Sequence, residues 1–281
     1  MENRTITKKM ISEFKSYLLS EEKSSATVEK YIRDITRLYA FAKGKTVTKE
    51  LVIEYKGMLR NEDYAVRSIN SMLSSINSFF VYLGWYGIKT KLIKIQQQIF
   101  CPEEKELSKA EYIRLVNTAR ARKNERLSLI IQTICSTGIR VSELENITVE
   151  AVRAGQAVVS CKGKTRIVFI TSDLRKKLLR YTSEQNIKTG SVFVTRCGKP
   201  VCRTNIWRDM KSLCAAAGVN PNKVFPHNLR HLFARVFYGI EKDIAKLADI
   251  LGHSSINTTR IYIISSGEEH RRCMENMRLV I

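Results

Sequence analysis

The chain has 281 residues and carries 48 Lys+Arg against 27 Asp+Glu, a net charge of +21. That length supports two domains with their own cores, and 44% hydrophobic residues are the content of an ordinary globular protein, which argues against disorder. A positive excess spread along the whole sequence fits a polyanionic partner, nucleic acid first, because each phosphate neutralised releases counterions.

In chain order, the first hundred residues read as helices only. Ile6, Met10, Phe14, Tyr17 and Leu18 recur at helical spacing, as do Tyr31, Ile32, Ile35, Leu38 and Tyr39. Thr48 caps a third helix carrying Leu51, Val52 and Tyr55. A fourth stripe from Ile69 to Leu83 stops at Gly84 and Gly87. Four amphipathic helices with short connections make a bundle over 1–87. Residues 88–106 lose the stripe, contain Pro102 and read as a linker. A second domain over 107–267 opens with the capping-box pattern Ser108–Glu111. Its β-branched runs 157–161 and 166–170, joined by KGKT with Gly163, predict a hairpin, and SVFVT (191–195) predicts a third strand. Helices complete the domain, and 268–281 forms an apolar, charged tail helix. The fold class expected is mainly α with a small antiparallel β-sheet.

Seven cysteines without a CxxC pair fit a reducing cytosol, and MENRTITKKM lacks the apolar core of a signal peptide. No run approaches the roughly 18 apolar residues that span a bilayer.

Singly, the chemistry-bearing residues are ordinary. Arg140 reads as a structural partner of Glu143, Trp207 as core, and Tyr262, within Ile261-Tyr262-Ile263-Ile264, as a packed tyrosine. His227 and His231 have the spacing of a metal pair, but the HExxH glutamate is missing and Arg230 intervenes, so no metal is expected. Together the residues fit one task. Arg140 and Arg230 offer forked donors to phosphate oxygens. His227 and His253 carry protons near neutrality. Lys162, at a hairpin tip, reaches a leaving oxygen, and Tyr262 supplies a hydroxyl nucleophile.

Four segments carry a resemblance: Thr137-Gly138-Ile139-Arg140-Val141-Ser142-Glu143-Leu144, Cys161-Lys162-Gly163-Lys164-Thr165-Arg166, Pro226-His227-Asn228-Leu229-Arg230-His231, and the stretch from Leu251-Gly252-His253 to Arg260-Ile261-Tyr262. In this order, behind a basic helical domain, they resemble the tyrosine recombinases, including phage integrases and Xer-type resolvases. The resemblance implies an N-terminal helical core-binding domain and a mixed α/β catalytic domain. It implies DNA strand exchange through a 3′-phosphotyrosine intermediate, with catalytic Arg140, Lys162, His227, Arg230, His253 and Tyr262. Lys164 is the alternative to Lys162 in the lysine motif; Lys164, Arg166, Arg203 and Thr204 are then expected to touch DNA. The implied partners are duplex DNA with a specific recombination site and a homo-tetramer on paired sites, with no cofactor and with the tail either docking on a neighbouring subunit, as is common in the family, or folding back on its own domain. A type IB topoisomerase and a catalytically silent DNA-binding regulator are the rival readings.

Overall fold

The computed structural model describes residues 4–94, 106–161, 164–262 and 274–277. The chain divides into two compact units, Met1–Gln97 and Gln98–Ile281.

The first unit is built from α1 (Lys8–Ser20), α2 (Ser25–Ala42), α3 (Lys49–Asn61) and α4 (Val66–Tyr82). Thr7, Ser24 and Thr48 cap the first three through side-chain oxygens that accept otherwise unpaired first-turn N–H groups. The apolar stripes meet around Phe14, Ile35, Tyr55, Ile76 and Phe79, all fully buried. After a 3₁₀ turn, Tyr86–Ile88, the chain runs back along α4. There Asn77 exchanges two hydrogen bonds with the backbone of Thr90, and Asn70 does the same with Ile93. The first residues of the expected linker, 88–94, therefore lie within this unit; 95–105 fall outside the described residues.

The second unit opens with α5 (Lys109–Ala121), whose capping box is formed in both directions between Ser108 and Glu111. Then follow α6 (Glu125–Thr137), a 3₁₀ turn (Val141–Asn146), α7 (Val149–Ala154), β1 (Gln156–Cys161), β2 (Lys164–Phe169), α8 (Ser172–Glu184) and α9 (Arg203–Ala217). A second 3₁₀ turn, Pro221–Lys223, leads to α10 (Pro226–Glu241), α11 (Ile244–Leu251) and α12 (Ile256–Arg260). Helix α6 is buried on nearly every side, with Leu129, Ile131 and Ile134 at the centre of the core and α10 packed along it.

The fold is mainly α with a two-stranded antiparallel sheet, as the sequence implied. Three details differ. Pairing runs from Gln156↔Phe169 to Cys161↔Lys164, so only two residues separate the strands rather than the four of KGKT. The expected third strand makes only isolated bridges, Thr148↔Ser191 and Val194↔Pro200. Its apolar residues Val192 and Phe193 instead plug the core, and their backbone bonds go to Ile147 and Val201. Trp207 is not core: Ile206, Met210 and Leu213 occupy the buried stripe of α9, which leaves the indole about half exposed beneath the Lys211 ammonium. The expected tail helix lies outside the described residues except for 274–277.

Gly138 ends α6 at φ +64°, and an added Cβ would meet the Phe233 ring at 2.5 Å. Gly138→Ala should therefore destabilise the second unit by about 2 kcal/mol or more, measured by urea denaturation; a change within about 0.5 kcal/mol would contradict this packing.

Candidate active site

Helix α10 starts with Pro226 at its first turn, where a missing N–H costs nothing. His227, Arg230 and His231 follow at spacings that put them on one face. Arg230 is the largest fully buried side chain among the described residues, 1% exposed. Its guanidinium donates to the carbonyls of Gly138 and Leu251 and sits 3.0 Å from His253 Nε2. Those carbonyls lie at the C-terminal ends of α6 and α11, where unpaired carbonyls and the helix dipole favour a cation. Burial and the Arg140 charge lower its pKa to about 10 while Tyr262 pushes it back up, so the group stays charged at neutral pH.

His253 follows Gly252, the left-handed cap of α11. Its Nδ1 lies 2.9 Å from the Thr259 hydroxyl, and Thr259 is fully buried on α12. Arginine has no acceptor, so Nε2 must present its lone pair to Arg230, which leaves the proton on Nδ1. Burial, then the charges of Arg230, Arg140 and Arg166, lower the His253 pKa to about 4, consistent with that neutral tautomer.

Tyr262 is 4% exposed and packs with Ala234, Leu247 and Leu251. Three imidazoles surround its ring, with centroids 4.2 Å away for His231, 5.4 Å for His253 and 5.8 Å for His227. Burial, with His227 and Arg235 nearby, lowers the His231 pKa to about 3, so this ring is a neutral aromatic wall. His227 opens towards solvent; packing around its imidazole, then Arg230, Arg140 and Arg203, lowers its pKa.

Arg140 follows the α6 cap. Its Nη1 donates to Glu143 Oε1 at 2.9 Å, and its Nη2 reaches the Gly252 carbonyl at 3.4 Å. The Arg140–Glu143 pairing expected of a structural arginine is present, but it joins the same cluster as Arg230 and His253. The sequence did not flag Glu143 as the pivot. Only 2% exposed, it also accepts the Arg140 backbone N–H and both tips of the Arg166 fork, at 2.8 and 2.7 Å.

Arg166, one of the residues expected to touch DNA, has all three guanidinium nitrogens engaged within the protein. Its side chain is turned inward, with Nη1 and Nη2 on Glu143 and Nε donating to the Ile250 carbonyl at 3.1 Å. Arg203 and Thr204 are exposed at the start of α9. Lys164 sits in β2, opposite Cys161, and Lys162 lies outside the described residues. Among the described residues, no group of three or more His, Cys, Asp or Glu is placed to hold a metal ion, and no helix is long and apolar enough to cross a membrane.

Five of the six expected catalytic residues thus meet in one cationic cluster, whose chemistry suits a phosphodiester. Residues 105–269 match the model of the phage integrase family, and 11–87 match that of the phage integrase N-terminal SAM-like domain. Tyrosine recombinase XerA of Pyrococcus horikoshii is 28% identical over 96% of this chain and 94% of its own. Tyrosine recombinase XerH of Campylobacter jejuni is 35% identical over 63% of this chain, a stretch that spans about half (51%) of XerH. The crystal structure of XerH bound to difH substrate in a pre-cleavage complex aligns with a TM-score of 0.71 at 18% identity, over 98% of this chain and 85% of that one. The chain belongs to the phage integrase family. Within it, the chain is a tyrosine-type site-specific DNA recombinase, similar to the Xer proteins.

Burial raises the Glu143 pKa, but the Arg166 and Arg140 hydrogen bonds outweigh it and hold the carboxyl at about 2. A depressed carboxylate contributes stability that is complete above its unfolded pKa and lost as pH falls through the folded value. Glu143→Gln should therefore flatten the acid limb of stability between pH 4.5 and about 2, followed by urea denaturation across pH. Parallel acid limbs for the two proteins would contradict this.

Proposed function

We propose that Tyr262 is the nucleophile of this recombinase. Its hydroxyl attacks the scissile phosphorus, forms a 3′-phosphotyrosine link and releases a 5′-hydroxyl. Arg140, Arg230 and His253 take the non-bridging oxygens as negative charge builds on them. Lys162 protonates the departing 5′-oxygen, and His227, at the open side of the site, relays the tyrosine proton. One phosphodiester replaces another, so bond energy is conserved and neither ATP nor a metal is required. Attack by the 5′-hydroxyl of a partner strand reverses the chemistry and completes the exchange.

A single observation carries this reading: the Tyr262 ring is held by three imidazoles and adjoins the one fully buried guanidinium of the cluster. His253 has a part that depends on the arriving substrate. In the free protein its Nε2 accepts from Arg230. A phosphate oxygen that engages Arg230 favours the protonated ring by its charge and converts Nε2 into a donor.

The substrate is duplex DNA with a specific recombination site, contacted by Arg203 and Thr204 at the exposed start of α9 and by Lys164 of the hairpin. Each subunit offers one Tyr262, and exchange between two duplexes breaks four strands, so the working assembly is a tetramer on paired sites. The tail, 268–281, links neighbouring subunits. The reaction takes place on DNA in the cytosol.

The site itself is obtained by sequencing genomic fragments covalently trapped by the protein. On a nicked suicide duplex carrying it, the protein should form an adduct that survives denaturation, and Tyr262→Phe should form none while binding the duplex with wild-type affinity. An adduct with Tyr262→Phe would overturn the assignment of the nucleophile. Efficient relaxation of plasmids lacking the site would instead favour topoisomerase action.

A further inference from the structure

Among the described residues, the arginines and histidines of the site share one buried carboxylate, Glu143, and its position raises a difficulty for the chemistry proposed above. Glu143 Oε1 lies 2.9 Å from Arg140 Nη1. Alone, that carboxylate would neutralise Arg140 and compete with the scissile phosphate for it. It is not alone. Arg166 grips both carboxylate oxygens in a two-pronged bond, the stronger and more directional form of ion pair. The Arg166 side chain is 12% exposed, against 30% for Arg140, so the pair Arg166–Glu143 is the inner one and Arg140 faces the opening.

Arg166 is bound at its other end too. Its Nε holds the Ile250 carbonyl in the last turn of α11. Its Cδ lies where a side chain on Gly252 would start, 2.8 Å from an added Cβ, and Gly252 is at φ +65°. Gly252 immediately precedes His253, and its carbonyl receives Arg140 Nη2. One side chain thus touches the carboxylate that orients Arg140 and the turn that presents His253, while making no use of its charge towards solvent.

We propose that Arg166 is a positioning residue of the strand-cleavage reaction: it serves as the counter-ion of Glu143, so that the charge of Arg140 stays available to the scissile phosphate, and it fixes the Ile250–Gly252 turn that carries His253. This rests on the assignment of Arg140 and His253 as phosphate-binding groups. Arg166 itself touches no substrate.

The test compares Arg166→Lys, Arg166→Met and Gly252→Ala with the wild-type chain on the nicked suicide duplex, measuring single-turnover adduct formation at saturating protein, DNA affinity and thermal stability. Adduct formation should slow by about tenfold or more in Arg166→Met and less in Arg166→Lys, which keeps the charge but not the fork, with affinity within about threefold of wild type. Gly252→Ala, which displaces Arg166 without removing it, should share the defect. A second duplex carries a methylphosphonate at the scissile position, which removes the negative charge that Arg140 has to meet. On it the difference between Arg166→Met and wild type should shrink. Loss of affinity with an unchanged rate would make Arg166 a DNA contact and overturn the proposal. A rate loss equally large on the methylphosphonate would reduce Arg166 to general scaffolding and overturn it as well. Failure of the wild-type chain to form any Tyr262 adduct would instead remove the underlying functional reading, an outcome visible before any variant is compared.

Discussion

The second unit depends on satisfying one buried guanidinium. Arg230 cannot lose its proton at neutral pH, and a bare cation in a protein interior costs several kcal/mol. Its neighbours meet that cost with groups that themselves lack partners: the terminal carbonyls of α6 and α11, each exposed by a glycine in a left-handed cap. Helix α6 and the consecutive helices α10 and α11, about ninety residues further on, are thereby fixed at a single point. Arg140 follows the first cap and His253 the second, so the bonds that make Arg230 tolerable also bring the other phosphate-binding candidates beside it.

Around that point the electrostatics are deliberately unbalanced. Arg140 and Arg166 share one carboxylate, Arg230 has none in hydrogen-bond reach among the described residues, and each histidine nearby has its pKa pushed down. The site therefore keeps its imidazoles neutral and its guanidiniums charged, an arrangement that repels further cations and is relieved by an anion. A phosphodiester supplies that anion. The same imbalance makes the neutral His231 and His253 rings suitable walls for the Tyr262 ring, since charged imidazoles there would add to the repulsion.

Much of this was legible in the sequence because the local chemistry is strong. The apolar stripes and capping residues of the first unit specify its helices, and the Ser108–Glu111 box marks where the second unit begins its first helix. Arg140, His227, Arg230, His253 and Tyr262 were recognised only as a set, since each alone reads as a structural residue. Tyr262 is in fact both: it is buried in a small apolar cluster and also borders the guanidinium. What the sequence could not convey is tertiary. SVFVT has strand composition but no partner strand to pair with, so its side chains fill the core. Trp207 lies on the outward side of α9, a matter of helix rotation that its neighbours Ile206 and Met210 decide. Arg166 follows the basic run Lys162-Gly163-Lys164, and nothing in its local sequence reveals the buried Glu143 or the Ile250 carbonyl, respectively 23 and 84 residues away.

The central claim is that the tyrosine enclosed by these imidazoles is the atom source of the covalent bond to DNA. Mass spectrometry of the adduct trapped on a suicide duplex, after digestion with protease and nuclease, tests it directly. The account requires the nucleotide to be attached through a 3′-phosphate to the peptide containing Tyr262. Attachment to any other residue, or through a 5′-phosphate, would contradict it.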